Sequence, residues 1–331
     1  KNEITMKAKK QGGSKLFSAF MNIPELTIIL FIIIVAVFIG VQSSSFFTGT
    51  NALNITKQIA VNGIMSIGMM LAIISKGVDL SIGSLLGLVC AVAGSFIKIG
   101  APAWVVLLIC LAVGAACGFL NGFLIVKLKV MPIIVTLGTM NIFRGIAYVY
   151  SGGKWTTNLP KDFLVMGNDF APAIILAAVV ILFVIIMRYT RFGRYVYAIG
   201  SNGDSARLAG IHVDRTKEMI YMCSGLLTGL AAMIFIGRTG AIQPSAGVGY
   251  EMDAIAACVL GGVSMSGGVG RISGTVFGAI VIGIISNGLN LMGVSSFWQL
   301  VVKGLIILAA VILDSRKEAL SEKLKKKKIT H

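Results

Sequence analysis

A succession of apolar runs, each near the length needed to cross a bilayer, constrains this chain more than any other feature. A helix needs about 20 mostly apolar residues to cross the hydrocarbon core. Ten candidate spans are read at 26–41, 55–74, 82–97, 103–125, 131–149, 172–187, 219–237, 253–264, 274–292 and 297–313. The first is short and the eighth poorly bounded. Backbone polar groups in lipid must be satisfied within the segment, so these runs are expected to be helices. The chain is 56% hydrophobic and 13% charged, with a mean hydropathy of +0.90. A soluble domain carries about 25% charged residues. The expected fold is an all-α integral membrane bundle of about ten helices, one domain over residues 1–331 with no soluble domain attached.

A net charge of +16 invites a nucleic-acid reading, but the distribution of charge opposes it. With the N-terminus in the cytoplasm and ten spans threaded, 22 of the 29 Lys and Arg fall in cytoplasmic segments. Those are the N-terminal tail, Lys76, Lys127 and Lys129, the 188–218 loop, Arg271 and the C-terminal tail. Lys98, Lys154, Lys161 and Arg238 fall outside, and Lys57, Arg144 and Lys303 inside spans. This is the positive-inside asymmetry, and it places both termini in the cytoplasm. The run Lys325–Lys328 reads as a topology signal and lipid-surface anchor. The first span, preceded by Lys7, Lys9, Lys10 and Lys15, lacks a small-residue cleavage site and is kept as a helix.

No catalytic, metal or cofactor pattern stands out. Cys90, Cys110, Cys117, Cys223 and Cys258 lie within apolar spans at no ligand spacing and read as packing residues. His212 and His331 have no triad partners in pattern. The chain has no P-loop, and Gly268–Gly274 reads as a tight turn rather than a dinucleotide fingerprint. Pairs and triplets such as Gly83/Gly87, Gly114/Gly118/Gly122, Gly225/Gly229 and Gly274/Gly278 are spaced for close helix contact. A weak repeat, Asn121-Gly122 with Gly138 and Asn287-Gly288 with Gly304, has an offset of 166 residues. Five spans lie between equivalent points, so the halves would be inverted, an architecture common in transporters.

Several polar positions are candidates for function. Asp79 reads as a cap or turn carboxylate before span three, with Ser81 as another cap, or as a site at membrane depth. Glu251 and Asp253 open span eight on the outer side, where a helix N-terminus attracts carboxylates. The alternative for both is docking of an external protein. Lys57 and Arg144 are expected to snorkel. Lys303 lies deep in span ten, where an unpaired charge is costly, so it pairs helices or lines a path. Asn287, Asn290 and Gln299 are its nearby polar candidates, and Asp79, Asn287, Asn290 and Lys303 form the candidate path or gate.

The basic segment 188–218 is expected, by its pattern, to be where a soluble partner docks. A short helix around Ser205–Leu208 is expected, capped by Asn202 and stopped by Gly210. Ala206, Ala209 and Gly210 would let it seat closely in a groove, and Arg207 supplies a charged anchor.

This segment, from Ala198 through Gly200, Asn202, Ala206, Arg207 and Gly210 to Ile211, resembles the cytoplasmic coupling segment of sugar ABC-importer permeases. Gly77-Val-Asp79-Leu-Ser81-Ile-Gly83-Ser84 is similar to that family's pattern, as are Gly249–Gly262 and Asn287–Gln299. The resemblance covers nearly the whole chain, is nearest to ribose-type permeases, and departs at Lys76, where a small residue is expected. It implies a type II importer-like membrane subunit for a monosaccharide, ribose or similar, with no enzyme activity and no cofactor of its own. It also implies three protein partners: a cytoplasmic ATP-binding subunit gripping 188–218, an extracytoplasmic sugar-binding protein, and a second permease copy. The runner-up is an ion-coupled secondary transporter using Asp79 or Glu251. An intramembrane enzyme is a third reading, disfavoured by the lack of paired catalytic residues.

Overall fold

A computed structural model describes residues 24–309 and 311–312. The tail lysines Lys7–Lys15 and Lys325–Lys328 and His331 lie outside the described residues. The described chain is helical, with one isolated bridge between Thr156 and Ile242. In chain order the helices are α1 (Pro24–Gln42), α2 (Gly49–Ile74), α3 (Ile82–Lys98), α4 (Ala103–Lys127) and α5 (Pro132–Ser151). Then come α6 (Lys161–Leu164), α7 (Ala171–Tyr189), α8 (Arg191–Ser201), α9 (Gly203–Leu208), α10 (Val213–Thr239), α11 (Tyr250–Leu260), α12 (Ile272–Leu291) and α13 (Ser296–Ala309).

Local chemistry sets many of these ends. The Thr48 hydroxyl accepts from the Asn51 amide at 3.3 Å and opens α2. Proline at the first helical position opens α5. Gly152 and Gly240 end α5 and α10 in the left-handed conformation, at φ 62° and 61°.

All ten apolar runs overlap helices, but among the described residues six helices (α2, α4, α5, α7, α10 and α12) are long and apolar enough for a full crossing. The eighth run, 253–264, is already too short for a full crossing. Its helix, α11, has 11 residues, or about 16 Å at 1.5 Å per residue, half of a ~30 Å hydrocarbon core.

The helices sort into a core and a periphery. The most apolar stretch of α2 is 83% buried, and those of α10 and α12 are 72% and 67%. For α4, α5 and α7 the figure is 22%, and their exposed faces carry large apolar side chains such as Leu108, Ile142 and Ile174. In a membrane such faces meet lipid or another apolar protein surface.

The small-residue sets are the seams of this bundle. A Cβ on Gly114 would strike the Gly225 carbonyl, one on Gly118 the Tyr221 carbonyl, and one on Gly229 the Cys110 carbonyl. The α4 and α10 backbones therefore touch. Gly274 and Gly278 of α12 are pressed likewise against Gly261 and Ala257 at α11. Lipid supplies no hydrophobic force between helices, so this close approach is what dispersion requires.

Candidate translocation and coupling sites

Two non-helical connectors enter the bundle and start helices inside it. The first is 241–249. Ile242 pairs with Thr156, its amide donating to the Thr156 carbonyl at 2.8 Å. From there the segment follows α3. Ile242 lies against Gly94, the carbonyls of Pro244 and Ala246 against Gly87, and Gly247 with Glu251 against Gly83. From Gly94 to Gly83 is about 16 Å along the helix axis. Tyr250, where α11 begins, is therefore beside the first turn of α3. Glu251 and Asp253, expected at the outer start of the eighth span, are instead carried into the bundle on a half-length helix. Glycines at 83, 87 and 247 permit that descent.

The second connector, 75–81, is held by a knot of hydrogen bonds. Asp79 is fully buried. Its Oδ1 accepts from the Ser81 hydroxyl at 2.6 Å and the Ser81 amide at 3.2 Å, and its Oδ2 accepts from the Ser224 hydroxyl at 2.8 Å. Asn121 donates to the Ser81 hydroxyl at 2.8 Å. The knot thus ties the start of α3 to α4 and α10. Asp79 closes the turn before α3, and Ser81 donates to it rather than capping the helix. With no exposure, Asp79 is enclosed by the packed helices. Three donors to one carboxylate replace its lost water.

Arg144 on α5 does not snorkel. Its Nη1 donates to the carbonyls of Pro244 at 2.9 Å and Ala246 at 2.7 Å, so a guanidinium clamps the descending connector. Lys303 has a charged partner that its sequence neighbours did not suggest. Its Nζ lies 2.9 Å from both carboxylate oxygens of Asp253, bonded to Oδ2. The Asp253 side chain is 2% exposed and that of Lys303 19%. The Asp253 side chain is thus enclosed within the bundle, paired to α13. Glu251 is half-buried against Gly83.

The asparagines serve neighbouring helices. Asn287 and Asn51 exchange amide hydrogen bonds of 2.8 and 3.0 Å, joining α12 to the start of α2. Asn290 accepts from Gln299 at 2.8 Å, across the α12–α13 turn. Neither is brought to Lys303 by these bonds.

The 188–218 segment is almost wholly helical. The Asn202 side chain accepts from the Ser205 amide at 2.9 Å and opens α9, and Gly210 ends the turn at φ 82°. Gly200 and Ala206 are buried within the chain itself. Ala206 packs with Ile199 and Val213, and Gly200 abuts the Ile74 carbonyl and Gly268. Asn202, Arg207 and Gly210 are exposed and Ile211 half-buried. Arg207 pairs with Asp214 at 2.9 Å. Leu208, which the sequence did not single out, is 91% exposed at the tip.

Two bonds, through Ser201 and Tyr197, join this segment to the core, and a third ties together the core backbone that Gly200 abuts. The Gly268 amide donates to the Ile74 carbonyl at 2.8 Å, Lys76 Nζ to the Ser201 carbonyl at 3.3 Å, and the Tyr197 hydroxyl to the Gly270 carbonyl at 2.8 Å. Lys76 reaches Ser201 from a left-handed backbone, φ 61°. Burial raises the Tyr197 phenol above its ordinary value, offset in part by Arg271, so it stays a neutral donor.

Residues 51–311 match the family described as branched-chain amino acid transport system / permease component. The chain is 40% identical over 322 residues to the ribose import permease protein RbsC of Escherichia coli (strain K12), covering 95% of this chain and all of that one. It is 44% identical over 297 residues to RbsC of Bacillus subtilis (strain 168), covering 88% and 92%. It is 38% identical over 287 residues to the L-arabinose transport system permease protein AraH of Escherichia coli (strain K12), covering 83% and 85%. No solved structure matches.

Proposed function

From the premise that the chain belongs to the branched-chain amino acid transport system / permease component family, we propose that it is the membrane subunit of an ATP-driven sugar importer. The cargo is a monosaccharide, ribose or similar. The observation that carries this choice is the likeness to ribose import permeases along 95% of the chain. That likeness disfavours the ion-coupled alternative.

The repeat expected from the sequence gains support from helix order. Shifted by 166 residues, α2, α3, α4 and α5 fall near the starts of α10, α11, α12 and α13. Each half has a core helix, then an inward connector, then a shortened helix. The halves also exchange partners: α4 lies along α10, and α12 reaches α2 through Asn51 and Asn287. We read ten membrane segments in two inverted halves, with both termini cytoplasmic. Helices that start inside the bundle beside irregular backbone are where transporters hold cargo. The meeting of α3 and α11 at Gly83 and Gly247, with Glu251, Arg144 and the Asp253–Lys303 pair around it, is the proposed gate.

In this reading an ATP-binding subunit grips Asn202, Arg207, Leu208 and Gly210, while Gly200 and Ala206 fasten the segment from beneath. Motion of α8 and α9 reaches α2 through Ile74 and Lys76 and α12 through Gly268 and Gly270. ATP shifts the bundle only by its differential affinity for the two states. A second copy of the permease and a sugar-binding protein on the outer side complete the assembly. The test is co-reconstitution with the ATP-binding and sugar-binding proteins and labelled ribose. Uptake should require ATP and both partners. Uptake that survives ATP depletion and stops with a collapsed ion gradient would select the ion-coupled alternative.

A further inference from the structure

A groove where the end of α4 meets the start of α10 joins an apolar trough to a cationic mouth. The mouth, about 700 Å³, is lined by Phe119, Phe123, Lys127, Arg207, Arg215 and Glu218, among others. The trough, about 480 Å³, runs along α4 at Ala116, Cys117 and Leu120 and shares Phe119 and Phe123 with the mouth. The two rings lie 6.3 Å apart, centre to centre, and both are exposed. The depressions are therefore continuous, greasy on the membrane side and charged at the end that leads into α9.

Its charges are not all spoken for. Arg207 is engaged by Asp214 at 2.9 Å. Lys127 and Arg215 are exposed and make no ion pair among the described residues. Glu218 is half-buried beside them. We propose that this groove binds an anionic glycerophospholipid, with phosphatidylglycerol as the fitting headgroup. Lys127 and Arg215 face the phosphodiester, Glu218 accepts from a glycerol hydroxyl, and an acyl chain lies over Phe123 and Phe119 toward Leu120 and Ala116. Cationic pockets at the cytoplasmic edge of transmembrane helices suit such headgroups, and aromatic rings suit the boundary where tail meets head. A soluble partner would have no use for the apolar trough, which runs along a face of a membrane-spanning helix. The site depends on the chain lying in a membrane, not on what it carries. It borders Arg207 and Gly210, so lipid occupancy would set the stiffness of the segment that partners grip.

The test is native mass spectrometry of the purified full chain with equimolar palmitoyl-oleoyl phosphatidylglycerol and phosphatidylcholine. Each cation is worth about fivefold in affinity for an anionic lipid, so Lys127→Gln with Arg215→Gln should cut the phosphatidylglycerol adduct on the order of 20-fold. The phosphatidylcholine adduct should hardly change. Phe119→Ala with Phe123→Ala should weaken both. Size-exclusion elution checks folding, which these exposed positions should not disturb. Equal adducts of the two lipids on the wild-type chain would overturn the proposal without any variant. So would an unchanged phosphatidylglycerol adduct on the doubly neutralised chain. Phe123→Cys crosslinking between two copies in phosphatidylglycerol bilayers would also overturn it, showing that a second copy covers the trough.

Discussion

Replacing Lys303 by methionine isolates one buried charge. The Asp253 carboxylate, 2% exposed, loses a cation 2.9 Å from both its oxygens. At an effective dielectric near 20, attraction at that separation is about 6 kcal/mol, most of it offsetting the desolvation of the two groups. Removing one partner of such a pair typically costs about 3–5 kcal/mol. The orphaned carboxyl can instead take up a proton. From an ordinary value near 3.9 that costs about 4 kcal/mol at pH 7 and about 1.5 kcal/mol at pH 5. Protonation therefore caps the loss and makes it pH-dependent. The expected result is a strongly destabilised Lys303→Met that recovers part of its stability as pH falls. The double variant Lys303→Met with Asp253→Asn, which leaves no charge, should recover most of it at both pH values. Thermal unfolding of each purified variant, followed by uptake per folded molecule, separates stability from gating. A single variant as stable as the wild type at pH 7 would refute the reasoning, since the pair would then be dispensable. A double variant that folds well yet transports at an altered rate would assign the pair to the gate.

Three further outcomes are expected. Arg207→Glu breaks an ion pair whose side chains are 64% and 61% exposed, so it should cost under about 1 kcal/mol of stability while lowering both ATPase stimulation and uptake. Normal values of both would remove Arg207 from coupling. Gly225→Leu should abolish accumulation of folded protein, because a Cβ there meets the Gly114 carbonyl, whereas Gly138→Leu faces open space and should be tolerated; detergent-extracted yields compare the two. On a cysteine-free background, Ser205→Cys should resist an impermeant thiol reagent added to intact cells and react after permeabilisation, and labelling from outside would invert the threading.

Much of the bundle was written in local pattern. Hydropathy marked where helices lie, and glycine spacing marked which faces pack, since both are properties of one segment. Asn202 and Gly210 bounded α9 by chemistry within a few residues of it. Pairing across the fold was not legible. Nothing near Lys303 in sequence names Asp253, 50 residues away, and Ser224, which completes the Asp79 knot, looks like any small residue in an apolar run. The inward course of 241–249 escaped notice for a different reason. Hydropathy marks the short run 253–264 but says nothing of where the polar backbone before it lies, and only the Gly83 and Gly87 contacts place it. At Ala206 a small residue permits close approach on either side; the pattern carries no sign for which side.

The seam between α4 and α10 also bears on how the protein is made. The last glycine of the α4 face is Gly122, and its counterpart face runs to Gly229. From the end of α4 at Lys127 to Gly229 is 102 residues of further chain. At about 5–20 residues per second, the ribosome takes several seconds or more to supply them. Throughout that interval a helix face stripped of side chains has no mate, and Asp79 has no Ser224 to hold. The amino-terminal half is therefore left waiting in the bilayer for the carboxy-terminal half, and a chain that stalls before α10 emerges would offer quality-control proteases a membrane helix with bare backbone and a carboxylate lacking one of its donors.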